Sequence, residues 1–346
     1  MPRNNMENKE KRIVKNDPLF ILWSDAGMIC IGYRQKGQVD KSMKDRVWRF
    51  QQAICVLPIH LRQALMELNE TEQEQIEEVR LRVGQPMTVL IAQREKPLAQ
   101  MVREQDLERV LELASQASLH QVLPKLRQGY LTVAGGHRLG VCGSVLMQNG
   151  KIHYIRPLSS LNLRIACERR GIGRELISEI CSNGWFVSTL VLAPPGYGKT
   201  TLLRDLICSL SDGDGCQPHR IGLMDERGEI AAMYQGAAQL SVGRHTDILE
   251  GCSKSEGLMM LLRGMNPQIL AVDEITAPED VEALQMAVGC GVSILASAHG
   301  KNMGDLLQRP IYRKMMERGL FYKVIYIDTV RGERVYRGED LVCCKS

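Results

Sequence analysis

The sequence lacks the features that mark secreted, zinc-binding and membrane-spanning chains. Its 11 cysteines are an odd number and include no C-x-x-C pair, so neither a disulfide framework nor a zinc site is indicated. The most apolar early stretch, residues 19–33, is interrupted by Asp25 and is too short for a spanning helix. It also lacks the cleavage pattern of a signal peptide. We therefore expect a cytoplasmic protein with no transmembrane segment.

Aromatic residues and net charge are scarce as well. Aromatic side chains make up 5% of the chain, and the net charge of +4 is mild, so composition indicates no general affinity for nucleic acid or membranes. With 346 residues, 44% hydrophobic and 24% charged, the chain has the composition of a globular protein of two domains.

The element pattern divides the chain into three parts. Residues 1–46 are polar and basic around a small apolar island and are predicted to be a poorly ordered extension. Met43 precedes the first clear amphipathic pattern, so a native start there is a hypothesis. Residues 47–170 mix helix and strand signals and are predicted to form a smaller α/β domain. In residues 171–346 strands alternate with helices, which predicts a parallel sheet covered on both faces.

Several elements are specific enough to predict individually. In the first domain these are helices at 61–68, 105–114 and 120–126, a half-exposed strand at 76–82, and a hairpin over 130–145 that turns at Gly135-Gly136. In the second they are a helix at 174–181 and strands at 187–192, 221–224, 269–272 and 292–296.

A glycine-containing turn between a buried strand and a helix predicts a phosphate-binding loop. The turn ends in Lys199-Thr200, and Gly196 and Gly198 allow the backbone to point N–H groups at an anion near a helix N-terminus. Lys199 would reach the β- and γ-phosphates of ATP and the Thr200 hydroxyl would bind Mg²⁺. One departure from the usual motif is alanine at its first glycine. The predicted nucleotide-binding residues are Ala193, Pro194, Pro195, Gly196, Tyr197, Gly198, Lys199, Thr200 and Thr201.

A second strand that ends in carboxylates fits the same chemistry. The run Gln268–Val272 is followed by Asp273 and Glu274, at the spacing expected of a Walker B strand. Asp273 is predicted to hold the Mg²⁺ shell. Glu274 is predicted to activate the attacking water as general base.

Other polar groups follow neighbouring strands. Asp225 and Glu226 end the strand at 221–224, so they are candidates to face the γ-phosphate, and Glu226 is taken with Glu274 and Lys199 as catalytic. Ser297 and His299 end the next strand and are candidates to orient the same phosphate. An arginine from a neighbouring subunit often neutralises phosphoryl charge. The candidates are Arg227, Arg244, Arg263 and Arg164.

Several motifs in order resemble the stage III sporulation AA family. They are the strand 76–82 with its E-V-R-L-R letters, Gly135–Gly140, Ser159–Ala166, Ala193–Asp205, Asp225–Arg227 and Val272–Ile275. The resemblance runs from about residue 47 to the C-terminus. That family is similar to the ATPases that energise type II and type IV secretion. The resemblance therefore implies a RecA-like P-loop ATPase core, preceded by a smaller α/β domain.

The resemblance also implies a biological setting. It implies an ATPase of the mother cell of an endospore-forming bacterium, acting as a homo-hexameric ring with the membrane proteins of a channel-like complex around the forespore. Asp225-Glu226 stand where the secretion ATPases have an acidic box, and His299 stands at their histidine box. Ala193 and the stretch Ile275–Pro278 depart from the pattern of those enzymes.

Two other functions stay open from the residues alone. A nucleic-acid ATPase is possible because the Gly135–Arg138 turn could approach a phosphate backbone, although no aromatic residues interleave with basic ones there to stack bases. A nucleotide-gated scaffold, in which ATP binding controls assembly and turnover is negligible, is the second alternative.

Overall fold

The computed structural model describes residues 20–24, 27–31, 41–115, 126, 129–148, 150–330 and 333–341. The first described elements are the antiparallel strands β1 (Phe20–Ser24) and β2 (Gly27–Ile31). Among all the residues that the structure describes, no helix is both long and apolar enough to cross a membrane.

The N-terminal part is an antiparallel sheet with helices packed against it. Its helices are α1 (Lys41–Ala53), α2 (Ile59–Met66), α3 (Glu70–Gln75) and α4 (Glu104–Ala114). Its strands are β3 (Ile76–Arg82), β4 (Pro86–Ile91), β5 (Arg94–Met101), β6 (Tyr130–Val133), β7 (His137–Gln148) and β8 (Lys151–Arg164), in the order β5-β4-β3-β8-β7-β6.

The sequence pattern explains how this part packs. In α4 the buried apolar residues are Leu107, Val110, Leu111 and Ala114, a spacing that puts them on one face of a helix. They join one hydrophobic core with apolar side chains of the sheet, such as the fully buried Val79 of β3. The antiparallel sheet is thus apolar where helices cover it.

The C-terminal part is a seven-stranded sheet with helices on both faces. Its helices are α5 (Arg174–Ile180), α6 (Lys199–Asp212), α7 (Lys254–Gly264), α8 (Pro278–Gly289), α9 (Met303–Leu307) and α10 (Pro310–Glu317). The sheet strands are β11 (Thr189–Ala193), β12 (Ile221–Asp225), β15 (Thr246–Glu250), β16 (Ile269–Val272), β17 (Ser293–His299), β18 (Lys323–Val330) and β19 (Glu333–Asp340). Short paired strands precede and interrupt it: β9 (Cys181–Ser182) with β10 (Trp185–Phe186), and β13 (Met233–Tyr234) with β14 (Ala237–Ala238).

The strand order of this sheet is β15-β12-β16-β17-β11-β18-β19, and all pairings are parallel except β18 with β19. Every residue of β11 is buried, and the strand contributes Leu190 and Leu192 to one core and Val191 and Ala193 to the other. Helices on both faces explain why the strand is apolar on both sides. Strand β11 is an interior strand, with β17 on one side and β18 on the other. The loop that follows β11 is therefore flanked by the carboxyl ends of neighbouring strands, where open α/β sheets bind ligands.

Most individual predictions agree with these elements. The helices expected at 61–68, 105–114 and 174–181 correspond to α2, α4 and α5, and the strand at 76–82 is β3. The strands expected at 187–192, 221–224, 269–272 and 292–296 correspond to β11, β12, β16 and β17. Strands β6 and β7 form the expected hairpin, with a short 3₁₀ turn at Ala134–Gly136. The helix expected at 120–126 lies outside the described residues apart from Leu126.

The two sheets lie on either side of the boundary expected between residues 170 and 171. Helix α1 begins at Lys41, ahead of the boundary expected at residue 47. The limits of the domains, and poor order in the first residues, stay predictions.

Candidate functional site

The loop between β11 and α6 has the backbone that a phosphate-binding turn requires. Gly196 and Gly198 adopt φ of 81° and 87°, a left-handed region that side chains with a Cβ avoid. Ala193, which replaces the first glycine of the motif, has the extended backbone of β11, so its methyl group causes no strain. Helix α6 begins at Lys199 and directs its N-terminus at the loop.

Lys199 is folded back on its own loop. Its ammonium donates to the carbonyl oxygens of Ala193 at 3.3 Å and Pro194 at 3.4 Å, and it contacts Nδ1 of His299. Burial lowers the pKa of Lys199, and the nearby carboxylates of Glu274 and Asp273 oppose that shift. The ammonium donates to two neutral carbonyl oxygens and to no carboxylate. An anion would accept stronger, charge-assisted hydrogen bonds from it.

The two carboxylates after β16 are each held by a residue of β17. Ser297, which is fully buried, donates its hydroxyl proton to Asp273 Oδ1 at 2.7 Å. His299 Nε2 lies 3.0 Å from Glu274 Oε2. Strands β16 and β17 are parallel neighbours, so their carboxyl ends bring these four side chains together. His299 thus touches both Lys199 and Glu274.

Lys199, Asp273, Glu274 and His299 line one cleft of about 420 Å³, whereas the buried Ser297 is not one of its lining residues. Among the predicted residues, those that line it are Gly196, Gly198, Lys199, Thr200, Thr201, Glu226, Arg227, Asp273, Glu274 and His299. The remaining loop residues Ala193, Pro194, Pro195 and Tyr197 lie outside the lining. Ala193 is buried behind the loop, whereas the Tyr197 side chain is exposed.

Asp225 and Glu226 have different surroundings although they are adjacent. Asp225 is buried, and its carboxylate accepts hydrogen bonds from the backbone amides of Glu229, Ile230 and Ala231 at 2.8–3.1 Å. Burial raises the pKa of Asp225, and these three amides oppose the shift. Glu226 lines the cleft, where Lys254 Nζ lies 2.5 Å from its Oε2. Asp225 therefore shapes the loop behind the cleft and does not face it.

Four lining residues escaped prediction from the sequence: Lys254, Glu229, Thr276 and Arg334. Lys254 opens helix α7 after the capping residue Ser253, whose hydroxyl accepts from the Glu256 amide. That motif signals a helix start but not proximity to the cleft. Arg334 reaches the cleft from the hairpin β18–β19, which no sequence motif marks.

The arginine candidates separate by position. Arg227 lines the cleft. Arg164 pairs with Glu78 at 3.1 Å in the N-terminal sheet, and Arg244 pairs with Asp212 at 3.4 Å near the far end of α6. Arg263 is exposed in the last turn of α7. Within one chain only Arg227 of these four is a lining residue.

The cleft also suits a magnesium ion held partly by a nucleotide. In the described part of the chain, no group of three or more His, Cys, Asp or Glu side chains is arranged to hold a metal by itself. A nucleotide-bound Mg²⁺ needs fewer protein ligands, because phosphates and water complete its octahedral shell. Thr200 and Asp273 offer a hydroxyl and an oriented carboxylate to the same cleft.

The N-terminal hairpin contacts the loop that forms one wall of this cleft. Arg138 Nη1 pairs with Glu229 at 2.6 Å and its guanidinium stacks on the Tyr130 ring. The Tyr130 hydroxyl donates to the carbonyl oxygen of Arg227 at 2.7 Å. The hairpin thus holds two of the residues that line the cleft.

The chain belongs to the family described as sporulation stage III, protein AA, whose profile matches residues 48–338. Stage III sporulation protein AA of Bacillus subtilis (strain 168) is 37% identical over 278 residues, which cover 80% of this chain and 90% of that protein. The uncharacterized protein ycf45 of Cyanidium caldarium is 28% identical over 45% of each chain. The resemblance predicted from the motifs is confirmed.

Two solved structures share the fold. The Legionella pneumophila ATPase DotB has a TM-score of 0.54 and 13% identity, with 84% of this chain and 82% of DotB covered. The pilus retraction motor PilT with bound ADP has a TM-score of 0.56 and 16% identity, with 79% and 81% covered. At such identities the likeness concerns the fold alone, and it confirms the predicted α/β class with a parallel-sheet core.

Proposed function

We propose that this member of the sporulation stage III, protein AA family is a Mg²⁺-dependent ATPase. The observation that carries the proposal is the meeting of the glycine loop, Lys199, Asp273 and Glu274 in one cleft at the carboxyl ends of parallel strands. Open α/β sheets bind their ligands at that edge. The fold shared with the ATPase DotB and with ADP-bound PilT supports the same activity.

The glycine loop and Lys199 bind the phosphates. Gly196 and Gly198 line the cleft and α6 begins at Lys199, so the loop amides and the positive end of this helix are placed to attract anionic oxygens there. Lys199 then exchanges the carbonyl oxygens of Ala193 and Pro194 for phosphate oxygens, which form stronger, charge-assisted hydrogen bonds. Thr200 and Asp273 would hold Mg²⁺, which would neutralise charge on the phosphates.

The carboxylates of Glu274 and Glu226 carry out hydrolysis. Glu274 accepts the proton of the attacking water, and Glu226 is the second carboxylate that faces the reacting phosphate. His299 contacts Glu274 at 3.0 Å and also touches Lys199, so it connects the proton acceptor with the phosphate-binding lysine. Lys254 holds Glu226 at the cleft wall.

Substitution of the lysine and the glutamate tests the proposal. Glu274→Gln should keep Mg-ATP affinity within a few-fold and lower the rate of phosphate release about 10²–10⁴-fold, because only water activation is lost. Lys199→Ala should weaken Mg-ATP binding about 10–100-fold, since a charge-assisted contact is removed. The exposed Glu282→Gln and Lys301→Ala are matched controls that should behave as wild type.

The measurements are phosphate release by malachite green and Mg-ATP affinity by calorimetry. Hydrolysis that is unchanged in both site variants would refute the site. Negligible hydrolysis by the wild type together with tight Mg-ATP binding would favour the nucleotide-gated scaffold. In that case assembly should survive Glu274→Gln and fail in Lys199→Ala.

The nucleic-acid alternative finds little support at the turn that suggested it. Gly135 and Gly136 are buried, and a Cβ added to Gly136 would lie 3.1 Å from the Cβ atoms of Ala232 and Gln239. The Gly135 amide donates to Gln239 Oε1 at 2.8 Å. The turn packs against the ATPase part of the same chain, which leaves no room for a phosphate backbone there.

For the cellular role we propose a homo-hexameric motor. It would act in the mother-cell cytoplasm of an endospore-forming bacterium, on membrane proteins of a channel-like complex around the forespore. Family membership supports the sporulation setting, and the fold shared with a pilus retraction motor supports a motor. Arg227 lines the cleft of its own subunit, which leaves Arg164, Arg244 and Arg263 as the candidates to act across a subunit boundary. Sedimentation that shows only monomers in Mg-ATP would refute the ring.

A further inference from the structure

The C-terminal hairpin brings an arginine against the phosphate-binding loop of its own chain. Strand β18 pairs with β11, and β19 pairs with β18, with Arg334 opposite Thr329. A Cβ atom added to Gly198 would lie 2.8 Å from Arg334 Nη1 and 2.9 Å from its Cζ. The guanidinium therefore lies directly on the backbone of Gly198, beside Lys199.

The Arg334 guanidinium has no direct polar partner in the described part of the chain. Within the described residues its guanidinium makes no hydrogen bond and no ion pair, and its neighbours are Lys199 and the positive end of α6. The three glutamates of the cleft contact other residues: Glu226 contacts Lys254, Glu229 contacts Arg138, and Glu274 contacts His299. The fourth carboxylate, Asp273, accepts from Ser297 and makes no ion pair with Arg334. A cation next to a helix N-terminus and a lysine is unfavourable until an anion joins them.

Arg337, on the same strand as Arg334, differs from it because its guanidinium has partners within the protein. Its guanidinium pairs with Glu339 at 3.1 Å and lies 4.5 Å from the centre of the Tyr326 ring. Both arginines are exposed, so exposure does not explain why only one has found partners. The difference is that Arg334 faces the cleft and Arg337 does not line it.

We propose that Arg334 binds the α- and β-phosphates of a nucleotide in its own subunit. The assignment to these phosphates follows from Gly198, because the amides at this end of a phosphate-binding loop surround the α- and β-phosphates, whereas the lysine reaches toward the γ-phosphate. A guanidinium offers two parallel N–H donors to phosphate oxygens. The inference rests on the proposed nucleotide-binding function and adds a residue that acts in cis.

The test compares the affinities of Mg-ADP and Mg-ATP by calorimetry in four forms of the full chain. They are wild type, Arg334→Ala, Arg334→Lys and the matched control Arg337→Ala. Arg334→Ala should weaken both nucleotides about 10–100-fold, because both contain the contacted phosphates. Arg334→Lys should recover part of the loss, since it keeps the charge but not the paired donors. Arg337→Ala should bind like wild type.

Three other outcomes would overturn the inference. Wild-type affinity for both nucleotides in Arg334→Ala would refute it while leaving the proposed function intact. A loss confined to ATP would refute the assignment to the phosphates shared with ADP. A wild type that binds neither nucleotide would refute both the inference and the proposed function. Arg334 is exposed, so its variants should fold, and equal melting temperatures by circular dichroism check this.

Discussion

Acid should destabilise the N-terminal part through one buried histidine. His137, the first residue of β7, is fully buried, and its Nδ1 accepts a hydrogen bond from the Ala166 amide at 3.0 Å. Burial, with a smaller contribution from the Arg49 cation, lowers the pKa of His137 to about 3. The neutral ring is therefore the form that fits the folded protein, and the unfolded chain binds the proton more readily.

The sign and size of the effect follow from proton linkage. Because the pKa is lower in the folded state than its usual 6.5, the contribution of His137 is present above pH 6.5 and is lost as pH falls toward 3. Between pH 7 and pH 5 the free energy of unfolding should fall by about 2 kcal/mol on account of this residue. The figure changes little so long as the folded pKa stays below about 4.

The variant His137→Asn isolates this contribution, because its amide oxygen can still accept from Ala166 but does not titrate. Urea unfolding followed by circular dichroism at pH 7, 6 and 5 gives the free energies for wild type and variant. The difference between them should narrow by about 2 kcal/mol on acidification. His153→Asn, a half-exposed position on β8, should run parallel to wild type. If the free energy of unfolding of His137→Asn fell with pH as steeply as that of wild type between pH 7 and pH 5, the role given to His137 would be refuted.

Two further substitutions test the loops around the cleft. Asp225→Asn should lower the free energy of unfolding by about 2–4 kcal/mol, because an amide cannot accept from all three backbone N–H groups; a change under about 0.5 kcal/mol in urea unfolding would contradict the role given to Asp225. Gly198→Ala should weaken Mg-ADP binding more than Gly196→Ala, since both have positive φ but only Gly198 contacts Arg334; equal affinities by calorimetry would argue against that contact.

The sequence predicted the parts of the fold that depend on local pattern. Strands β3 and β16 were predicted with the bounds that the structure has, because the first alternates apolar with charged residues and the second is an unbroken apolar run before Asp273. The start of α1 was missed because its first turn, from Lys41, carries mainly polar residues and shows no apolar face.

The candidate site was predictable only where it follows motifs. The predicted loop residues and carboxylates come from two strand ends, whereas Arg334 reaches the cleft through the order β11-β18-β19, which sequence spacing does not reveal. The interpretation of Asp225 as facing the phosphate was wrong for a different reason. Asp225 is the last residue of β12, it is buried, and its carboxylate is hydrogen-bonded to backbone amides of the following loop, a loop closure that the sequence does not reveal. Glu226 follows the strand and lines the cleft.

The contacts of the β6–β7 hairpin with the cleft wall connect the N-terminal sheet to the C-terminal sheet. A tilt of the N-terminal sheet would pull on Arg138 and Tyr130, and through them on Glu229 and the backbone of Arg227. Such a linkage works in both directions with the same free energy. A displacement of the N-terminal sheet would therefore move two residues that line the cleft, and a ligand that shifts those residues would in turn displace the β6–β7 hairpin.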